Sequence, residues 1–280
     1  MKRLVPLALL LVFLLLGQDS YAQVNTTSSK ISQGKARRLE RHSRPIRTSN
    51  LPLEWPAIKN DEPIFVHLGY ACSYNRETLI PNWVAYELTA EEVTPPEKYK
   101  GKETFRWDPE TNGERTAYRE DYRNEDGWER GHMAPRADMR WSVQAYEESF
   151  FLSNICPQNG VLNSGDWNTT ENLARRMASR YGSVFIICGP IVGENKYGSL
   201  GPHKVVIPDA FFKALLVMID GKYHSIAMIL PNTAEHHNPQ HYWCTVNELE
   251  ALLGMDLFPG LNDSYEESVE GIVEPGIWGH

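Results

Sequence analysis

The sequence predicts an α+β fold, with a mixed, mainly antiparallel sheet core and flanking helices. Of its 280 residues, 41% are hydrophobic and 23% are charged, which is typical of a globular protein with a sizeable core. Short apolar runs rich in β-branched and aromatic residues indicate strands, and they do not alternate regularly with helical segments, which disfavours a doubly wound sheet. Asp220-Gly221 separates two such runs and is a typical hairpin turn.

Apolar runs and capping residues predict the individual elements. Strands are predicted over residues 64–70, 83–88, 183–188, 205–207, 211–219 and 225–230. Helices are predicted over residues 142–151, 165–180 and 245–253. The last of these helices begins with Thr245 as N-cap and Glu248 three residues on, the pattern of a capping box. Pro157 is expected to form a turn.

The first residues have the pattern of a secretory signal peptide. Lys2 and Arg3 precede an apolar run from Leu4 to Leu16, and Ser20-Tyr21-Ala22 fits the small-x-small cleavage rule. We therefore expect a signal peptide over residues 1–22 and a secreted or periplasmic mature protein; an uncleaved membrane anchor is the alternative. Later stretches are too polar to span a bilayer, so no stable membrane insertion is expected after cleavage.

Charge is distributed unevenly along the rest of the chain. The formal net charge is −8, but residues 23–50 carry +6 and residues 51–280 carry −15. We interpret residues 23–50 as a basic, flexible arm and residues 51–280 as a single domain. The arm is either a solvated spacer or a contact for nucleic acid or an acidic envelope surface. The acidic domain argues against broad electrostatic binding of nucleic acid, because phosphates are bound by Lys and Arg.

The four cysteines are expected to form one or two structural disulfides, since export would bring them into an oxidising compartment. They are Cys72, Cys156, Cys188 and Cys244. The sequence leaves three full pairings open. No C-x-x-C spacing occurs, which disfavours a zinc site.

A candidate general base lies in the segment from Trp128 to Pro135. His132 follows Gly131 and Arg130 on what is predicted to be an irregular stretch. Imidazole titrates near neutral pH, so it can accept a proton from water during hydrolysis. A lone histidine is also compatible with a purely structural role.

A second constellation begins at Ser153 and contains a polar stripe at helical spacing. Asn163, Trp167, Glu171 and Arg175 are four residues apart, which places them on one side of a helix. An amide, a carboxylate and a guanidinium suit a hydrated Mg²⁺ beside a phosphate. The alternative is an exposed helix with Asn163 as its N-cap and a Glu171–Arg175 ion pair.

Together these segments resemble the DNA/RNA non-specific endonuclease family, the ββα-metal nucleases. The resemblance rests on Glu129 to Pro135, Asn154 to Gln158, Leu162 to Trp167 and Glu171, and it extends to Asn82 to Leu88 and Arg106 to Pro109. It covers roughly residues 64–260. The family's usual Asp is Glu129 here, which keeps the charge and is one methylene longer; activity is expected to survive, and the effect on the packing of the motif is left open.

The resemblance implies a ββα-metal active site in a single nuclease domain. By it, His132 is the general base, Asn163 a direct Mg²⁺ ligand, Glu171 a ligand through water, Arg106 and Arg175 the phosphate-binding arginines, Asn154 a supporting polar residue, and Arg130 a motif residue of less defined role. DNA and RNA are the implied substrates, cleaved with little sequence preference. Mn²⁺ could replace Mg²⁺, and a homodimer is left open.

Other interpretations remain at this point. The chain could be a catalytically inactive nucleic-acid-binding or envelope-interaction protein, or a phosphodiesterase for small substrates. His236, His237 and His241 lie in a Pro/Asn-rich stretch, where either a polar loop or a second metal site is compatible with their spacing.

Overall fold

The structure is a computed structural model that describes residues 51–59, 62–99, 101, 103–123 and 127–279. All of these residues lie in one compact unit, Ile46–His280. The predicted signal peptide and basic arm lie outside the described residues. Among the described helices, none combines the length and the apolar character that a membrane span needs.

A seven-stranded antiparallel sheet forms the centre, in the order β1-β2-β3-β6-β9-β10-β11. Its strands are β1 Ile64–Val66, β2 Ala71–Asn75, β3 Ile80–Thr89, β6 Ser183–Ile191, β9 Ala210–Ile219, β10 Lys222–Pro231 and β11 Trp243–Cys244. Two small pairs accompany it: β4 Trp128–His132 with β5 Ile155–Asn159, and β7 Ser199–Leu200 with β8 Val205–Val206. The predicted α+β class with a mainly antiparallel sheet is confirmed.

The helices lie on both faces of the large sheet. They are α1 Ala90–Val93, α2 Val143–Glu148, α3 Gly160–Leu162, α4 Asn168–Tyr181, α5 Val246–Leu253, α6 Asp263–Glu270 and α7 Pro275–Trp278. Side chains alternate between the two faces of the sheet, so the core consists of two clusters, one on each face. On β9, Phe211 and Leu215 belong to the cluster that contains the buried residues of α4. Phe212 and Leu216 point the other way, into the cluster under α5 and α6.

Local sequence signals located several elements correctly. Asp220 and Gly221 have φ angles of 49° and 79°, as a two-residue hairpin turn between β9 and β10 requires. Thr245 and Glu248 form the predicted capping box of α5. The predicted helix over 165–180 is α4 together with a π turn, Asn163–Trp167, that joins it to α3. Asn163 is not the N-cap, because it already has helical dihedral angles and Asn159 caps α3 instead.

The ββα unit consists of the β4–β5 pair and the helical run over 160–181. The expectation of an irregular stretch around His132 was wrong, because residues 128–132 form β4. The expected turn at Pro157 was also wrong: Pro157 lies within β5, opposite Arg130. A two-stranded sheet has only edge strands, where a residue without an N–H group is tolerated.

The predicted disulfides are absent, since all four cysteines are free. Cys72 on β2 and Cys188 on β6 both lie opposite Val84 of β3, so about two strand spacings, roughly 9.5 Å, separate them. A disulfide needs Cα atoms within about 7 Å. The Cys188 thiol instead donates to the carbonyl of Met133, at 3.3 Å. Long-range strand order, which spacing along the chain does not reveal, thus excludes the Cys72–Cys188 pairing.

Candidate active site

Strand β4 presents a candidate general base beside an arginine. Side chains alternate along a strand, so Arg130 and His132 share one face and Glu129 points to the other. The His132 ring lies 5.4 Å from the ring of Phe105, and the Arg130 guanidinium carbon lies 4.5 Å from the centre of that same ring. Phe105 therefore supports both side chains.

The His132 imidazole is held in an apolar setting. Its ring meets Phe150 edge-on at 5.2 Å, and its Nε2 is buried without a hydrogen-bond partner among the described residues. Burial, reinforced by the charge of Arg130, lowers the pKa of His132 from 6.5 to about 4. The imidazole is therefore neutral at neutral pH, which is the form that can accept a proton.

The backbone around His132 is fixed from both sides. Trp167 Nε1 donates to the His132 carbonyl at 3.1 Å. Asn154, which is fully buried, accepts from Ala134 N at 2.8 Å and donates to Ala134 O at 2.9 Å. Asn154 thus clamps the chain after His132 and is too deep to touch a substrate. At Gly131 any Cβ would collide with the side chain of Gln158, which explains the glycine of the motif.

Arg106 lies on a segment whose backbone is hydrogen-bonded to residues 150–152, just before β5. Its backbone N–H donates to Phe150 O at 3.2 Å, and Leu152 N–H donates to Arg106 O at 2.9 Å. The Arg106 guanidinium carbon lies 4.5 Å from the centre of the Phe151 ring. Arg130 and His132 therefore pack on Phe105, which itself contacts Phe150, and Arg106 packs on the neighbouring residue Phe151.

A buried carboxylate that sequence reasoning did not single out anchors this segment. Asp108 is fully buried and is bonded to His67 Nε2 at 2.9 Å, to Glu110 N at 3.0 Å and to the Ser153 hydroxyl. Burial raises the pKa of Asp108, but the hydrogen bond and charge of His67 and the other donors more than offset it, so the net pKa is lowered. Asp108 is thus ionised and ties the Arg106 segment to His67, the residue after β1, and to Ser153, in the turn before β5.

Replacing Asp108 with Asn is expected to lower the free energy of unfolding at pH 7 by about 2–3 kcal/mol, because charge-assisted hydrogen bonds are lost. The pKa of Asp108 is depressed on folding, so its stabilisation is present above the unfolded pKa of about 3.9 and is lost as the pH falls through the folded pKa. Urea unfolding between pH 3 and 7 measures the difference between Asp108→Asn and wild type, which should shrink toward acid.

The exposed neighbour Glu110 supplies the control, since Glu110→Gln removes a charge from the same turn without touching the buried network. A constant difference between Asp108→Asn and wild type across this pH range would contradict the assignment of an ionised Asp108.

The helical run over 160–181 presents oxygen ligands. Asn163, in the π turn, donates its amide nitrogen to Glu129 Oε2 at 2.8 Å, which leaves the amide oxygen for a cation. Glu129, the residue that departs from the family's Asp, therefore contacts the candidate ligand directly. π turns are frequent at functional sites.

Glu171 and Arg175 form the predicted ion pair, but not on an exposed helix. The Arg175 guanidinium is 3.3 Å from Glu171 and 3.1 Å from Asp138, and the two helical side chains are only 11% and 18% exposed. Burial raises the pKa of Glu171 to about 7, with Lys213 and Arg175 opposing it and Asp138 adding to it. Asp138, fully buried, also accepts from Tyr86 Oη at 2.9 Å.

The model of the DNA/RNA non-specific endonuclease family matches residues 56–264, which include every one of these side chains. The chain belongs to this family. The nuclease-like resemblance of its motifs is thereby confirmed for most of the described residues.

Individual relatives agree with this membership. The mitochondrial nuclease EXOG of Danio rerio is 32% identical over 209 residues, 70% of this chain and 60% of that protein. A nuclease of Nostoc sp. is 28% identical over 227 residues, 76% of this chain and 80% of that protein. A chain in the crystal structure of the EndoG/EndoGI complex matches with a TM-score of 0.68 and 27% identity, covering 75% of this chain and 91% of that one. The chain spans about three fifths of the EXOG relative.

The donor set in this family member fits a hard cation that keeps most of its water. Asn163 offers an amide oxygen and Glu171 a carboxylate, which are ligand types that Mg²⁺ prefers. Across the described residues, no group of three or more His, Cys, Asp or Glu could hold a metal. A hydrated cation needs only one or two protein oxygens.

The three histidines near the end of the sheet belong to a polar loop. The His237 and His241 rings stack at 4.2 Å, and His236 lies 2.5 Å from Asp166 of the π turn. Asp166 also accepts from Tyr242 and from the backbone of His237. The loop therefore braces the outer side of the π turn.

Proposed function

We propose that the protein is a divalent-cation-dependent endonuclease that hydrolyses phosphodiester bonds of DNA and RNA with little sequence preference. One observation carries the proposal: a neutral imidazole, His132, shares a strand face with Arg130 beside a helix bearing Asn163, Glu171 and Arg175. Family membership supports it. Groups that act on phosphate and sugar do not read bases, which accounts for the low sequence preference.

His132 would take the proton from the attacking water. Its Nε2 is enclosed, so Nδ1 is the ring nitrogen left to accept that proton. The low pKa keeps the ring ready at neutral pH, and the clamps on the His132 and Ala134 backbone fix its direction. Orientation of this kind is a large part of what a general base contributes.

The arginines would bind the scissile phosphate. Arg106 packs on Phe151, one residue after the Phe150 ring that meets His132, and Arg175 is directed by Asp138 and Glu171. Guanidinium groups match phosphate oxygens in a bidentate fashion and stabilise the charge that develops on them. Arg130 adds positive charge on the strand face itself.

Asn163 would hold the cation directly, and Glu171 would hold it through water. Glu129 orients the Asn163 amide so that its oxygen is the free atom. When bound, Mg²⁺, or Mn²⁺ in its place, supplies the charge that stabilises the phosphoryl and leaving oxygens.

Three substrates incubated with the purified protein and Mg²⁺ test the proposal. We expect closed circular plasmid DNA to be nicked and then linearised, RNA to be shortened, and a small ester such as bis-p-nitrophenyl phosphate to be cleaved far more slowly. Hydrolysis of the small ester alone would indicate a small-substrate phosphodiesterase. Retarded but intact DNA would indicate an inactive binding protein.

The site of action is proposed to be outside the cytoplasm, secreted or periplasmic. The support is the sequence pattern of residues 1–22. Expression of the full chain with fractionation tests it: the recovered protein should begin at Gln23 and lie in the medium or the periplasm. Uncleaved protein in the cytoplasm would contradict export.

A homodimer stays a prediction that sedimentation can test.

A further inference from the structure

A charged residue lies at the centre of the large sheet. Lys213 is in β9, paired with Cys188 of β6 on one side and Met228 of β10 on the other. It is fully buried, and its Nζ has no hydrogen-bond partner among the described residues. Alternation places it with Phe211 and Leu215, on the face covered by α4.

Such a position is costly for an ammonium group. Lysine is almost never fully buried unless it is paired, because its charge loses hydration that an apolar interior cannot replace. An unbranched apolar side chain such as Met would fill similar space without that loss. Local rules broken in this way are typical of functional sites.

The contacts of Lys213 lead to the candidate active site. Its Nζ lies 4.0 Å from the centre of the Trp167 ring, a distance at which a cation is attracted to an indole face. Trp167 is itself fully buried, and its Nε1 donates to the backbone carbonyl of His132. A chain of two contacts thus joins the ammonium to the backbone of the proposed base.

The carboxylates of the site lie on the same side of the sheet as Lys213. Tyr86 of β3, which belongs to the same core cluster as Phe211 and Leu215, donates to Asp138 at 2.9 Å, and Arg175 of α4 pairs with both Asp138 and Glu171. With Arg175, the group contains two acidic and two basic side chains. Replacing Lys213 with a neutral side chain therefore removes a positive charge from the side of the sheet that carries these two buried carboxylates.

We propose that Lys213 is a positioning residue: its buried ammonium fixes Trp167, and through Trp167 the backbone of His132. The inference rests on the proposed nuclease activity. Since Lys213 is closed off from solvent, it acts on the reaction without touching the nucleic acid.

The test compares Lys213→Met with Leu215→Met, a substitution on the same face of the same strand that changes packing but no charge. At saturating Mg²⁺ we expect Lys213→Met to lower kcat on plasmid DNA at least tenfold, with KM within twofold of wild type. Leu215→Met should leave both constants within twofold. Circular dichroism and thermal unfolding give the folded fraction, to which kcat is normalised.

A metal-free measurement separates positioning from a general loss of stability. The Trp167 indole N–H, identified by the signal missing in Trp167→Phe, should exchange with solvent at least tenfold faster in Lys213→Met than in wild type. Other buried indoles, such as that of Trp83, should keep their rates.

If Lys213→Met does not fold, Lys213→Arg and Lys213→Gln replace it in both measurements. The charged variant is expected to keep the higher kcat and the slower indole exchange. Equal values for charged and neutral variants, or a normalised kcat within twofold of wild type, would overturn the proposal. Wild-type protein that cleaves no nucleic acid would defeat the proposed function instead, so the two failures are distinguishable.

Discussion

Replacing His132 with Ala is expected to lower kcat for plasmid cleavage by about 10²–10⁴-fold, the range that general base catalysis contributes. The imidazole is the one neutral base on the face of β4 that carries Arg130. Alanine can accept no proton, whereas the phosphate-binding arginines and the oxygen ligands stay in place. KM for the nucleic acid should therefore change by less than the turnover rate. Initial rates on supercoiled DNA over a range of substrate concentrations measure both constants.

A second histidine provides the matched control. His224 lies on β10 and pairs with Glu274, outside the ββα unit. His224→Ala should retain wild-type activity, and circular dichroism should show the same fold for both variants. His132→Ala with activity near wild type would remove His132 from the mechanism.

Replacing Asn163 with Ala is expected to weaken Mg²⁺ binding strongly. We expect the Mg²⁺ concentration for half-maximal activity to rise by more than the 10–100-fold that loss of a partner outside the coordination shell typically costs. Asn163 offers the only amide oxygen that Glu129 orients within the described site, and no cluster of other ligands replaces it there. The measurement is the cleavage rate as a function of Mg²⁺ concentration.

Asn168→Ala is the control, since Asn168 is an exposed asparagine in the same helical run, one residue after the π turn. It should leave the Mg²⁺ dependence unchanged. An Asn163→Ala protein with the wild-type Mg²⁺ dependence would place the cation elsewhere.

The sequence predicts correctly those elements that depend on interactions between residues close together in the chain. The Asp220-Gly221 hairpin and the Thr245–Glu248 capping box are decided within a few residues, and both are present. Strand β4 was missed because Trp128 to His132 lacks an apolar alternation; its pairing with β5 and packing against Phe105 form it. The turn predicted at Pro157 was wrong, because the missing N–H of proline disrupts a strand only when that strand is paired on both sides.

The residues of the candidate site likewise divide into those that the sequence predicts and those whose roles depend on distant contacts. His132, Asn163, Glu171 and Arg175 carry their chemistry in the motif, and the structure brings them to one ββα unit. Asp108, Asp138 and Lys213 gain their roles from burial and from partners distant in sequence. A charged residue inside an apolar strand, as at Lys213, is the one signal that could have drawn notice. The free cysteines depend on strand order, which spacing cannot predict.

Cation dependence of strand cleavage is the decisive test of the proposed nuclease activity. Purified wild-type protein is incubated with closed circular plasmid DNA, first with Mg²⁺, then with excess EDTA, then with Mg²⁺ restored. We expect nicked and linear DNA in the first and third reactions and intact supercoiled DNA in the second. Cleavage that continues at the same rate in EDTA, or intact DNA in all three reactions, would contradict it.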